Sequence, residues 1–142
     1  MKKWYAVAAV LVVVILGLVY FSQRQTGMVV DSELVAINGH TDLTAVEAKM
    51  MIDEGTDFII VDVSPFYEKG HLPGAIWAYF GDGSLDRMIP HFNPEMTYLV
   101  YCHFDGPSIK SVKRMSDAGF DNVYRLSDHY SGWVEAGYPV EK

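Results

Sequence analysis

Tyr98-Leu99-Val100-Tyr101-Cys102-His103-Phe104-Asp105-Gly106-Pro107-Ser108 is the stretch on which the fold turns. Its first half is a short unbroken apolar run, the pattern of a strand covered on both faces. Its second half, Cys102 to Pro107, is dense in residues that turn a chain. A helix is expected from Ser108 to Ala118, with Lys110, Lys113 and Arg114 on the wet side and Gly119 as its stop. The segment therefore reads as strand, tight loop, helix.

Similar units lie on both sides of it. Thr44-Ala45-Val46-Glu47 is a capping box that opens a helix running through Met51-Ile52 and stopped by Gly55. Phe58-Ile59-Ile60-Val61 is a second buried strand, Ala75 to Tyr79 a candidate third, and Val123-Tyr124-Arg125-Leu126 another. Short helices are expected at Ser84–Ile89 and Tyr130–Ala136. Alternating strands and helices imply βαβ units and a mostly parallel sheet. In such folds ligands bind beyond the carboxyl ends of the strands, which is where Cys102 falls.

Composition narrows the function. The chain has 142 residues, with 18 acidic against 11 basic side chains and a formal charge of −7. Two of the basic residues, Lys2 and Lys3, precede an apolar segment, so the remainder is more acidic still. Such a domain repels nucleic acid and anionic lipid surfaces. The single cysteine excludes an internal disulfide and multi-cysteine zinc sites.

The N-terminus has its own reading. Trp4 to Phe21 carries no charge, and as a helix spans ~27 Å, close to a bilayer core. Its Val, Leu, Ile and Phe residues favour insertion by about −3 to −6 kcal/mol. Trp4, Tyr5, Tyr20 and Phe21 sit at its ends, where aromatics favour the membrane interface. A cleaved signal peptide fits less well, because Val19-Tyr20-Phe21-Ser22 lacks small residues at a cleavage site. The expectation is an anchor over residues 1–24 (transmembrane helix about 4–21), a linker over 25–34 and a domain over 35–142. The lysines before the run place the N-terminus in the cytoplasm and the domain outside.

Cys102 is the candidate reactive group. A tight loop after a strand points backbone N–H groups inward, and the next helix adds its positive end. That arrangement stabilises a thiolate or a persulfide anion. His103, Phe104, Asp105, Gly106 and Ser108 complete the candidate binding loop.

The surrounding motifs carry a family resemblance. Asp62-Val63-Ser64 follows a buried strand, and Gly70-His71-Leu72-Pro73-Gly74-Ala75-Ile76 comes next. Tyr101-Cys102, Ala118-Gly119-Phe120, Asn122-Val123-Tyr124, Gly132-Trp133 and Ala136-Gly137-Tyr138-Pro139-Val140 follow in order. From about Val35 to Lys142 this series resembles the rhodanese homology domain. The resemblance implies a three-layer α/β fold around a mostly parallel five-stranded sheet. In active members the cysteine carries sulfane sulfur as a persulfide and passes it to a thiol or cyanide. No cofactor is implied. His71 is expected to brace its loop, Asp62 to hold a turn, and Trp77 and Trp133 to pack.

The loop departs from the family pattern. Many active members resemble Cys-Arg-x-Gly-x-Arg followed by Ser or Thr. Here His103 and Pro107 stand at the arginine positions, and Asp105 at the glycine. Where the family often has Gly-Gly before its last helix, this chain has Asp128-His129. Arginine grips oxyanions with a fork of donors, and proline also removes an N–H. An ionised Asp105 about 5 Å from the sulfur would repel a unit charge by roughly 3 kcal/mol at a dielectric near 20. A protonated His103 would offset that repulsion, as would His129 if near. Thiosulfate is thus an unfavoured donor, and a neutral or weakly charged persulfide is expected. A phosphatase would need an arginine where Ser108 stands. A metal site from Cys102, His103, Asp128 and His129 is disfavoured because adjacent loop residues rarely converge on one ion. The competing class is a binding or scaffold module at the membrane that kept the fold and lost the chemistry.

Overall fold

The computed structural model describes Ala36–Ile37 and residues 40–142. The expected anchor and linker lie outside the described residues. No helix among the described residues is long and apolar enough to cross a membrane.

The elements run β1 (Ala36–Ile37), β2 (His40–Leu43), α1 (Ala45–Asp53), β3 (Phe58–Asp62), β4 (Ile76–Trp77), α2 (Ser84–Met88), β5 (Thr97–Tyr101), α3 (Asp105–Asp117), β6 (Val123–Leu126) and α4 (His129–Glu135). They build one sheet in the order β1-β2-β6-β5-β3-β4. Strands β2 to β6 are parallel, and β1 is an antiparallel edge on β2. The expected five-stranded parallel sheet is present, and β1 adds a sixth strand.

Strand β5 sits between β6 and β3 at the centre. Its side chains alternate between two cores, as period-two geometry requires. Tyr98, Val100 and then Cys102 join Val61, Leu85, Val112, Met115 and Phe120 on the face covered by α2 and α3. Leu99 and Tyr101 join Leu43, Ala48, Leu126 and Trp133 on the face covered by α1 and α4. All of these are at most 4% exposed. The three layers follow from a sheet apolar on both faces.

The capping box of α1 forms as the sequence implies. Thr44 Oγ1 accepts from the Glu47 N–H, and the Glu47 carboxylate accepts from the Thr44 N–H. A further bond joins distant ends of the chain: the Ala45 N–H in the first turn of α1 donates to Asp128 Oδ2 at 2.9 Å, just before α4.

Several sequence expectations need correction. The helix read from Ser108 begins at Asp105. Asp105, Gly106 and Pro107 fill its first turn, where an N–H has no intrahelical acceptor and a proline costs nothing. The strand read over Ala75–Tyr79 is only Ile76–Trp77, and Trp77 is 45% exposed. This edge tryptophan packs only in part, its indole donating to Ser64 O. Trp133 is buried as expected. Strand β2, sequence His-Thr-Asp-Leu, escaped the reading because its pattern is mostly polar.

Candidate active site

Two neighbouring strands end side by side here. Register places Asp62 at the end of β3 beside Tyr101 at the end of β5, with Cys102 the next residue. The chain after β3 is stitched closed. Asp62 Oδ1 accepts from the Ser64 N–H at 2.8 Å, and Oδ2 from the Tyr101 hydroxyl at 3.0 Å. That hydroxyl in turn accepts from the Leu72 N–H. Burial first, then the Asp62 charge, pushes the Tyr101 phenol far above its usual range. Asp62 therefore holds a turn, as read from the sequence. His71 also braces: its ring stacks on Tyr67 at 3.8 Å, and Nε2 lies 3.7 Å from Glu141.

Cys102 is fully buried and unbridged. Its carbonyl accepts from the Tyr130 N–H of α4 at 3.2 Å. Burial pushes the thiol pKa up, and the nearby Asp62 carboxylate adds to this. The backbone N–H groups of Phe104 and His103 bond the sulfur and pull the other way. These two donors are the cradle the structure shows. The N–H groups of Asp105 and Gly106 lie in the first turn of α3.

The other loop residues occupy distinct places. The His103 ring stacks on Tyr130 at 4.6 Å and meets Phe66 edge-on at 5.1 Å. Burial lowers its pKa, Lys69 and His129 lower it further, and Asp62 opposes them. At neutral pH His103 is therefore uncharged and does not supply the expected offsetting cation. Its buried Nε2 has no hydrogen-bond partner. Phe104 is 59% exposed, against Phe66. Ser108 is buried, and its hydroxyl donates to Asp105 O and Phe104 O. It ties down the first turn of α3.

Asp105 is paired, contrary to the expectation of a free repelling charge. Its Oδ1 accepts from Arg125 Nη1 at 2.8 Å and lies 3.5 Å from His129 Nε2. Arg125 is only 7% exposed. It also holds Asp42, donating from Nε at 2.7 Å and from Nη2. The Asp42 bond raises the guanidinium pKa, with burial partly opposing it. Register sets Asp42, Arg125 and Val100 abreast on β2, β6 and β5. Sequence reasoning missed Arg125. Its signal was a lone arginine inside an apolar strand, which demands a carboxylate partner.

Asp128 faces Ala45, and His129 takes φ 60°, a left-handed value rare outside glycine. No group of three or more metal-capable side chains occurs among the described residues.

A parallel three-layer α/β domain with a cysteine at the end of its central strand, ahead of a helix, defines a class of thiol-bearing domains. The family model of the rhodanese-like domain matches residues 44–136, and the chain belongs to that family. One relative is a thiosulfate sulfurtransferase GlpE from Glaesserella parasuis, 21% identical over 71% of this chain and 93% of that protein. Among solved structures, the Alr3790 protein of Anabaena is 26% identical, with a TM-score of 0.63 over 70% of this chain and 81% of its own. A thiosulfate sulfurtransferase from Pseudomonas aeruginosa is also 26% identical, with a TM-score of 0.59 over 70% of this chain and 20% of its own.

Proposed function

We propose that this chain is a membrane-anchored sulfur carrier of the sulfurtransferase type, with Cys102 as the catalytic residue. The observation that carries this reading is the position of Cys102. It directly follows the central strand, with the His103 and Phe104 N–H groups directed at its sulfur. Those two donors suit an anion on that atom, thiolate or persulfide.

The step balances without an external oxidant. The Cys102 thiolate attacks the outer sulfur of a donor R–S–SH. The donor S–S bond breaks, R–S⁻ leaves and takes up a proton, and Cys102–S–S⁻ forms. An acceptor thiolate or cyanide then takes the outer sulfur and returns the Cys102 thiolate. A neutral or weakly charged donor fits best, such as a low-molecular-weight or protein persulfide. The loop offers no arginine, and Arg125 is engaged by two carboxylates. The N-terminal apolar run would span the bilayer once and hold the domain on the extracytoplasmic side.

A second reading has its own support. Complete burial and a raised pKa suit an inert cysteine, and hence a binding or scaffold module. Intact mass after exposure to a small persulfide separates the two. Sulfur transfer requires a gain of about 32 Da, one sulfur atom, that cyanide removes and Cys102→Ala abolishes. A chain that never gains the mass is the scaffold. The anchor is tested by alkaline extraction of membranes: release of the chain into the soluble fraction overturns it.

A further inference from the structure

The ion cluster at the start of α3 contains more negative charge than its arginine requires. Arg125 is a buried cation, and Asp42 already meets it through Nε and Nη2. One forked carboxylate is enough to neutralise one guanidinium. Asp105 is a second carboxylate on the same cation, so the cluster keeps a net negative charge when its histidines are neutral. The Asp105 side chain is 65% exposed, against 9% for Arg125. It is the more exposed of the two carboxylates on the guanidinium, Asp42 being 44% exposed. The oxygen it places there, Oδ1, is met by Arg125 Nη1 and approached by His129 Nε2. It stands in the first turn of α3, three positions after Cys102 in the chain.

We propose that Asp105 is the specificity-determining residue of the Cys102 site: its carboxylate occupies the position where a ligand oxyanion would meet Arg125, and so excludes anionic sulfur donors. The carboxylate is a built-in competitor. An incoming dianion would have to displace it and would also meet its charge. An uncharged donor makes no demand on Arg125 and is unaffected. The consequence for donor choice rests on the sulfur-transfer reading, whereas the oxyanion binding does not.

The test uses the full chain in detergent, with Cys102→Ser in place so that no turnover occurs, and thiosulfate titrated by calorimetry. Asp105→Ala should bind thiosulfate roughly tenfold more tightly than the parent, the gain of a freed guanidinium donor and a lost like charge. Asp105→Asn, which keeps an acceptor but loses the charge, should fall between. Asp105→Glu should stay at the parent level. Adding Arg125→Gln to Asp105→Ala should erase the gain. Equal affinity of parent and Asp105→Ala overturns the proposal, as does a gain that survives Arg125→Gln or appears in Asp105→Glu.

With Cys102 restored, Asp105→Ala should raise the kcat/KM for thiosulfate by a larger factor than that for methyl persulfide. Equal movement of both donors overturns the specificity role. Tighter thiosulfate binding with no sulfur loading from either donor would refute sulfur transfer and leave the oxyanion competition standing.

Discussion

Two loops leave neighbouring parallel strands at the same edge of the sheet, and they are built on opposite plans. After β3, the polar groups of Asp62, Ser64 and Tyr101 are paired with one another or with backbone. After β5, the buried His103 Nε2 has no hydrogen-bond partner, and neither has Nδ1 of His129, which follows β6 at the start of α4. His129 also holds a left-handed backbone. The first loop is a brace whose parts satisfy each other. The second leaves a buried ring nitrogen of His103 over, one residue after the cysteine. Strain and unmet hydrogen-bonding capacity collect at functional loops, and the surrounding structure must hold them. The Asp62 turn is positioned to do so, because it fixes Tyr101, the residue before the cysteine.

The sharpest way to break this contrast is to remove the brace. Asp62→Ala strands the Ser64 N–H and the Tyr101 hydroxyl in the core and should cost about 3 kcal/mol of stability in urea unfolding. Tyr101→Phe leaves only the Leu72 N–H and one Asp62 oxygen unpaired. It should cost about 1.5 kcal/mol in the same measurement.

The second loop should respond to pH through His103. The pKa of His103 is lowered by folding, so near neutral pH both states are unprotonated and the folded state loses nothing. As pH falls through about 6.5 the unfolded chain takes up a proton that the folded chain resists, so stability declines. The decline ends once pH passes below the folded pKa. His103→Phe should remove this part of the acid limb of a stability profile, and an unchanged limb would assign it to other groups. The smallest effect belongs to the exposed tip. Phe104→Ser should change the unfolding midpoint by less than the equivalent of about 0.5 kcal/mol, since most of the ring is already in water.

The frame of the molecule was readable because its rules are local. Phe58–Val61 and Tyr98–Tyr101 are unbroken apolar runs, Val123–Leu126 is one interrupted only by Arg125, and each is in a strand. The capping box at Thr44 marked the start of α1. The start of α3 was misplaced because Asp, Gly and Pro signal a turn but are equally at home in a first helical turn. Strand β2 was invisible because its register comes from backbone pairing with β6, and its only apolar residue is Leu43. The ion cluster was the largest omission. Asp42, Asp105 and Arg125 lie far apart in the chain, and only parallel register brings them together. Sequence inspection therefore assigned Asp105 a free charge that the fold has already committed.

The bond from the Ala45 N–H to Asp128 gives the molecule an internal reporter. Amides in a first helical turn ordinarily trade their protons with water quickly, because nothing local holds them. This one is closed by a carboxylate 83 residues away. Its proton is released when the Asp128 carboxylate leaves the first turn of α1. The deuterium uptake of that single amide therefore reports on the contact between α1 and the segment before α4, from a position outside the sulfur site.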